Sequence, residues 1–483
     1  MKKTLAMILV GLLLSSGLIS CSQDETTLET DTTLETDTTQ NPDEITNAET
    51  SYLDTLGTKD FGGASFAILT NGQGSMPAFA ETLTGDPVND ALYYRDVAVS
   101  EAYNVVIEYS QSNELTEQVI NSAYSGDYCG DIFIAPLGNG QNAMSSAFRQ
   151  GALYNLMEVP HLKLDQAWWS SLMYEQLQYN GKLFFTSGDM ATASYFAPAC
   201  TFMNLTVANN YKINADEIYQ TVFDNAWTID EMLKLTDGLK VDLNGDGIIK
   251  PADDSYGVLS ATVELTATEI CVGAGIRYCE IDEAGNFVIN LNTEKVINVL
   301  NKLKQCFNEV TPQDDWTPFK NVTFKSDHAL FIVHFVQSAF DLRDMESDFA
   351  ILPMPKYNVE QESYMSYTNP HTTSYIAVPL IQHDIDRTGF IAEALEYLSV
   401  EMVRPTIYEQ TLKGKISRVP ECQKMLDIIF DTSYIDFNGL NNFGGSTQVM
   451  CDALFGDADL VSGLKAIENK MNEDFARYLS LFD

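Results

Sequence analysis

Three short apolar runs separated by two amphipathic ones govern what residues 64–135 can become. Ala64-Ser65-Phe66-Ala67-Ile68-Leu69 is a strand-length run ending in Thr70-Asn71-Gly72, and Val105–Tyr109 and Asp131–Ala135 repeat the pattern. Between the first two lies Asp86-Pro87, an N-cap with proline at the first helical position, opening an amphipathic stretch over 88–103. A second helix is expected over 115–124. The βαβαβ order predicts a parallel sheet covered by helices, with ligand groups on loops at the carboxyl ends of the strands. Asn71 and Asn139, in Asn71-Gly72-Gln73 and Leu137-Gly138-Asn139-Gly140, stand at those ends. Asn and Gly also make plain turns, which explains any one of them equally well.

The pattern stays α/β further on. Thr228 and Glu231 form a capping box that opens a helix to about residue 239. Residues 349–355 and 374–379 read as short buried strands, and 390–403 and 460–479 as helices. Excluding the first 60 residues leaves about 420, more than one core comfortably serves, so two lobes are expected.

The first 21 residues read as an address. Met1-Lys2-Lys3 is basic, residues 5–14 are an unbroken apolar run too short to span a bilayer, and Leu18-Ile19-Ser20-Cys21 has the form of a lipobox. The expectation is a cleaved lipoprotein signal over 1–20, leaving Cys21 as a lipidated residue on the extracytoplasmic face of a bacterial membrane. Residues 21–60 are Thr-rich and acidic, with too few apolar groups to offset the entropy of ordering, and are expected to be a solvated tether. Loss of Lys2 and Lys3 with the signal takes the formal charge from −40 to −42, which argues against a nucleic-acid partner. Seven further cysteines are scattered and odd in number, so no disulfide framework is expected, Cys271 and Cys279 being the one close pair.

One loop carries a metal-binding pattern. Asp242-Leu243-Asn244-Gly245-Asp246-Gly247-Ile248-Ile249-Lys250-Pro251-Ala252-Asp253 offers side-chain oxygens at positions one, three and five and a glycine at six. Asp242, Asn244, Asp246, the Ile248 carbonyl and Asp253 are the candidate Ca²⁺ ligands in a structural role, with Ile249 fixing the loop to the core. Lys250 at nine and Asp at twelve depart from the pattern, and the same residues also make a plain polar turn.

No catalytic constellation emerges. GxSxG and HExxH are absent, the five histidines are isolated, and the carboxylates are too numerous to single out a glycosidase pair. Aromatic residues stand out instead, including the exposed-looking pair Trp168-Trp169. Aromatic faces in a cleft stack on sugars, although most aromatics in any chain belong to the core.

Collinear segments then resemble one family, the extracellular solute-binding lipoproteins of bacterial ABC importers, family 1, the sugar-binding type. They are DPVNDALYYRDVAVSEAYNVVIEY (86–109), Trp168-Trp169 with Gly181-Lys182-Leu183-Phe184-Phe185 and Gly188-Asp189, Asp344-Met345-Glu346 with 349–356, and MLDIIFD (425–431). The resemblance implies a two-lobed, periplasmic-binding-protein-like (type II) α/β fold with a ligand cleft between lobes. Lobe 1 is expected over 61–192 and 335–372, and lobe 2 over 193–334 and 373–483. It implies a non-enzyme that captures a small solute, an oligosaccharide by type, and delivers it to the permease subunits of an ABC transporter, touching the membrane only through its lipid. By position, Asn71, Asn139, Trp168, Trp169, Asp189, Tyr195 and His371 are the candidate cleft residues. Arg343 could bind an anionic group or pair with a neighbouring Asp. An extracellular polysaccharide-acting enzyme and a ligand-sensing signalling lipoprotein are the alternatives.

Overall fold

The computed structural model describes residues 52–70, 78–138, 143–166, 168–249, 253–260, 263–281, 287–291, 293–307, 310–312, 323–342, 344–407 and 421–483. Cys21, Asn71, Asn139 and Arg343 lie outside them.

The first sheet contains β1 (Ala64–Thr70), β2 (Val105–Gln111) and β3 (Ile132–Pro136). β1 lies between β2 and β3 and runs parallel to both, with Phe66 opposite Ile107 and Leu69 opposite Phe133. The second sheet takes β4 (Ala199–Asn204), β5 (Tyr256–Ser260), β8 (Val310–Pro312), β9 (Ala329–Phe335) and β10 (Phe349–Leu352) in the order β10-β4-β9-β5-β8. Two small ribbons complete the set, β6 (Cys279–Ile281) with β7 (Phe287–Ile289), and β11 (Ser366–Tyr367) with β13 (Ser433–Tyr434). The remaining strand, β12 (Ser374–Ala377), returns to the first sheet antiparallel to β3.

Helices α1 (Tyr52–Leu56), α2 (Pro87–Tyr103), α3 (Leu115–Ser125), α4 (Ser171–Leu177), α5 (Ile385–Leu398) and α6 (Glu421–Asp431) bear on the first sheet and the cleft. α2 begins where its caps dictate: the Asp86 carboxylate accepts from the amides of Val88 and Asn89, both at 3.0 Å, and Pro87 has no amide to leave unpaired. It ends at Asn104 in the left-handed region, φ 49°. Val88, Leu92 and Val99 are buried in the core, as are Phe66 and Ile68 of β1. Thr228 caps its helix, its hydroxyl accepting from the Glu231 amide at 3.3 Å, while the Glu231 carboxylate lies against Lys234; the helix stops at Thr236.

Three expectations change. Phe349–Leu352, expected in lobe 1, pairs with β4 in the second sheet. Ser374–Ala377, expected in lobe 2, pairs with β3 in the first. Apolar runs of four residues are buried on both faces and carry nothing that distinguishes one sheet from another. The expected tether over 21–60 also ends early, because Tyr52–Leu56 is helical and packs on α5. Among the described residues no disulfide joins cysteines 129, 200, 271, 279, 422 and 451. Among the described residues no helix is long and apolar enough to cross a membrane.

Candidate functional site

Two of the segments on which the chain passes between the sheets pair with each other. Pro198, before β4, bridges Thr368, after β11, and the Asn369 amide donates to Ala197 O at 3.3 Å. From Thr368 the chain runs on into β12. At that edge Ile376 exchanges backbone hydrogen bonds with Thr186, at 3.0 and 2.8 Å, and two residues on Gly188 bridges Trp169. The Asp189 amide then donates to Trp168 O at 3.3 Å. The edge of the first sheet is thereby extended by two irregular segments, and these bring Trp168, Trp169 and Asp189 together.

They face a cavity of about 390 Å³, within the range that holds a small molecule. Trp168, Trp169, Ser187, Asp189 and Tyr195 line it on the side of the first sheet, and Phe430, Asp431 and Ser433 on the other. Asp431 ends α6, which packs on β10 of the second sheet. Thr368 and Arg404 close the back of the cavity. Tyr195 and Phe430 meet across it edge to face, ring centroids 5.8 Å apart.

Arg404, like Thr368, Phe430, Asp431 and Ser433, is a cavity residue that sequence reasoning did not single out. Its Nη2 and Nε donate to Asp189 Oδ2 and Oδ1 at 2.5 and 3.2 Å, and Nε donates also to Tyr195 Oη at 2.8 Å. A single π turn, Ser399–Val403, sits between α5 and Arg404, a widening that recurs at functional sites. Arg95, fully buried on α2, steadies that turn by donating to Ser399 Oγ at 3.2 Å, and it pairs with Asp96 at 2.7 Å. No local spacing marks Arg404. The only hint lay in Asp189, since a carboxylate that folding buries needs a cation or a proton.

Two buried carboxyl groups lie here, both raised by burial, and one of them has a cation beside it. Burial pushes Asp189 up to about 7, with Arg404 opposing. Burial, and then the neighbouring Asp189, hold Glu396 well above the carboxylate range. Glu396 Oε2 accepts from the Met190 amide at 3.0 Å, while its Oε1 has no hydrogen-bond partner. A side chain at Gly188 would place its Cβ 2.5 Å from Glu396 Oε2, so glycine is required for that approach.

The passage from Ser366 to Tyr375 is unusually polar for a buried segment. The side-chain oxygens of Ser366, Thr368, Thr373 and Tyr375, and Asn369 Nδ2, are buried without partners. Buried polar groups are almost always paired, and of these only Thr368 lines the cavity, where a ligand or water could complete its bonding.

The other candidates fall as follows. Trp168 is half-buried, but Trp169 is 2% exposed, so the expected pair of open indoles is one open ring and one core ring. The reason is its edge: Nε1 donates inward to Glu393 Oε2 at 2.8 Å. Trp227 is also core, donating to Pro353 O at 3.1 Å. His371 is exposed, rests its ring against Gly138 in the loop after β3, and is not among the residues lining this cavity.

In the 242–253 loop the oxygens serve the loop itself. Asp242 accepts from the amides of Gly245 and Gly247 at 2.6 and 2.7 Å, Asn244 from Asp246 and Asp246 from Ile248, both at 2.8 Å. Asp254, not Asp253, ties the loop shut through the Leu243 amide at 2.9 Å. Ile249 is 39% exposed and does not anchor the loop in the core. Among the described residues no group of three or more His, Cys, Asp or Glu side chains is arranged to hold a metal ion.

No protein-family model matches the chain, and no curated protein matches it. Solved structures do. A cyclo/maltodextrin-binding protein complexed with maltotetraose superposes with a TM-score of 0.58 at 13% identity, over 85% of this chain and 97% of that one. The galacto-N-biose-/lacto-N-biose I-binding protein of the ABC transporter from Bifidobacterium longum, in complex with lacto-N-biose, gives 0.56 at 12%, over 87% and 99%. The maltose-binding periplasmic protein of Listeria monocytogenes, in complex with maltose, gives 0.56 at 12%, over 86% and 98%. The chain has the two-lobed α/β fold of solute-binding proteins of the maltose-binding type.

Proposed function

We propose that this chain is an extracytoplasmic solute-binding protein that captures an oligosaccharide and hands it to an ABC importer. The observation that carries the reading is the cavity between the sheets, where aromatic and hydrogen-bonding walls face each other. Trp168, Tyr195 and Phe430 offer faces for the C–H surfaces of a sugar ring. Asp189, Arg404, Asp431 and Thr368 offer donors and acceptors for its hydroxyls. The fold neighbours whose ligands are sugars support the same class of solute. A solute touching both walls stabilises the closed arrangement of the two sheets, with the paired segments at Pro198 and Thr368 as the hinge.

A lipid anchor at Cys21 belongs to this reading on the strength of the lipobox at Leu18-Ile19-Ser20-Cys21, and would hold the protein near its permease. The 242–253 loop is proposed to take one structural Ca²⁺, on the strength of its oxygen spacing; the ion would share the loop oxygens that now cap backbone amides.

A thermal-shift and calorimetric screen with maltose, maltotetraose and lacto-N-biose tests the reading. Saturable binding of one of them, with compaction in solution scattering, is expected. If every oligosaccharide leaves the melting temperature unchanged while a peptide or amino acid raises it, the sugar assignment is wrong.

A further inference from the structure

Glu393, fully buried on α5, has a carboxyl group that accepts four hydrogen bonds. Oε2 accepts from the Trp169 indole at 2.8 Å and the Lys163 amide at 3.0 Å. Oε1 accepts from the Trp168 indole at 2.9 Å and from Tyr52 Oη at 3.0 Å. That uses the acceptor positions a carboxylate offers. Both tryptophans of the cavity wall are therefore oriented by one group that does not itself line the cavity.

The fourth donor is the unexpected one. Tyr52 lies in α1, within the stretch whose composition reads as tether. Its ring sits 4.5 Å from that of Trp168 and 5.2 Å from that of Tyr397, and Trp168 meets Tyr397 edge to face at 5.4 Å. The chain then runs along α5. Lys59 Nζ pairs with Asp386 Oδ2 at 2.5 Å, and Phe61 meets Phe390 at 5.8 Å. Residues 52–61 thus form a strap over α5 whose first ring backs the indole that faces the cavity.

We propose that Glu393 is the positioning residue of the ligand site's aromatic wall, and that the strap beginning at Tyr52 is a working part of that wall. The proposal rests on the reading of this cavity as the sugar site. Half-buried Trp168 lines the cavity and packs against Tyr52 and Tyr397. Removing Tyr52 frees the indole to take other rotamers, and the solute then meets a wall that has to be ordered on binding. Coupling of this kind is reciprocal, so a solute packed on Trp168 slows hydrogen exchange at the α1 amides.

The test uses the full mature chain, labelled with ¹⁵N-tryptophan so that each indole N–H gives one signal. Glu393→Gln should move the Trp168 and Trp169 signals and leave Trp227, whose partner is Pro353 O, in place. Because a buried site of this kind can cost the fold, half-buried Tyr52 supplies the second variant. Tyr52→Ala should move the Trp168 signal more than the Trp169 signal and speed its exchange, and Tyr52→Phe, which keeps the ring, should produce a smaller change. With maltotetraose as the probe, Tyr52→Ala should weaken binding by about 2- to 12-fold, the scale of one aromatic pair. A Trp168 signal that stays at its wild-type position and exchange rate in Tyr52→Ala overturns the proposal. Failure of maltotetraose to bind even the wild-type chain counts against the sugar reading, and the indole signals still decide the role of Glu393 and Tyr52.

Discussion

Arg404 and Asp189, 215 residues apart in sequence, form a two-pronged ion pair at the back of the cavity. Asp189 is almost wholly buried, and the Arg404 side chain is 33% exposed. Removing the cation would leave a buried carboxyl group to ionise alone or to take up a proton. Arg404→Ala should therefore destabilise the fold by roughly 2–4 kcal/mol, below the upper range for fully buried pairs because Arg404 is partly hydrated. Arg404→Ala combined with Asp189→Asn should recover part of that loss in urea denaturation. A strictly additive double variant would mean that the two side chains are not coupled.

The same carboxyl group sets a pH dependence. Burial raises Asp189 to about 7 in the folded chain, against 3.8 for an unperturbed aspartate. The folded state then binds the proton more tightly than the unfolded one. Its contribution to stability is fully present below about pH 4 and is lost as pH rises through about 7. Glu396, shifted in the same direction, adds to the effect. Stability measured from pH 4 to 8 should fall across that window, and Asp189→Asn should flatten the fall. An unchanged slope in the variant would assign the titration elsewhere.

The adjacent tryptophans should separate cleanly. Trp169 is core, so Trp169→Ala should cost about 3–5 kcal/mol of stability. Trp168 is the open ring, and Trp168→Ala should weaken oligosaccharide binding by about 1–3 kcal/mol with the fold retained. Calorimetry and denaturation on both variants check this, and equal losses of stability would place both rings in the core.

If the 242–253 loop binds Ca²⁺, the native state gains RT ln(1 + [L]/Kd), about 2.7 kcal/mol at a hundredfold excess over Kd. Chelator should lower the melting temperature of the wild-type chain and have no effect on Asp246→Ala. Asp246 also caps the Ile248 amide, so the chelator response, not the variant's stability alone, is the deciding measurement. Identical melting curves with and without chelator would leave the loop as a polar turn.

Cys21→Ser should release the protein from membranes into the soluble fraction, because acyl chains and not the acidic tether hold it there. Fractionation after a salt wash decides it, and retention of the variant would point to another anchor.

What the sequence determined by itself was local. Asp86-Pro87 set the start of α2, Thr228 set the start of the helix at Ile229, and the alternation over 64–135 pointed to parallel strands, whose order β2-β1-β3 the structure supplied. These signals work through hydrogen bonds and periodicity within a few residues, so composition and spacing suffice to read them. Asp189 and Tyr195 became cleft candidates only with the resemblance to a family, and Trp168 already through its aromatic character. Tertiary structure decided the rest. It sent Phe349–Leu352 and Ser374–Ala377 to opposite sheets from those expected, turned Trp169 inward onto Glu393, and drew Tyr52 out of an apparently featureless tether onto Trp168. It also supplied Asp189 with Arg404. Each of these depends on partners far apart in sequence, because a buried indole N–H or carboxylate takes whatever complementary group the packed core brings near, and nothing in its immediate sequence names that group.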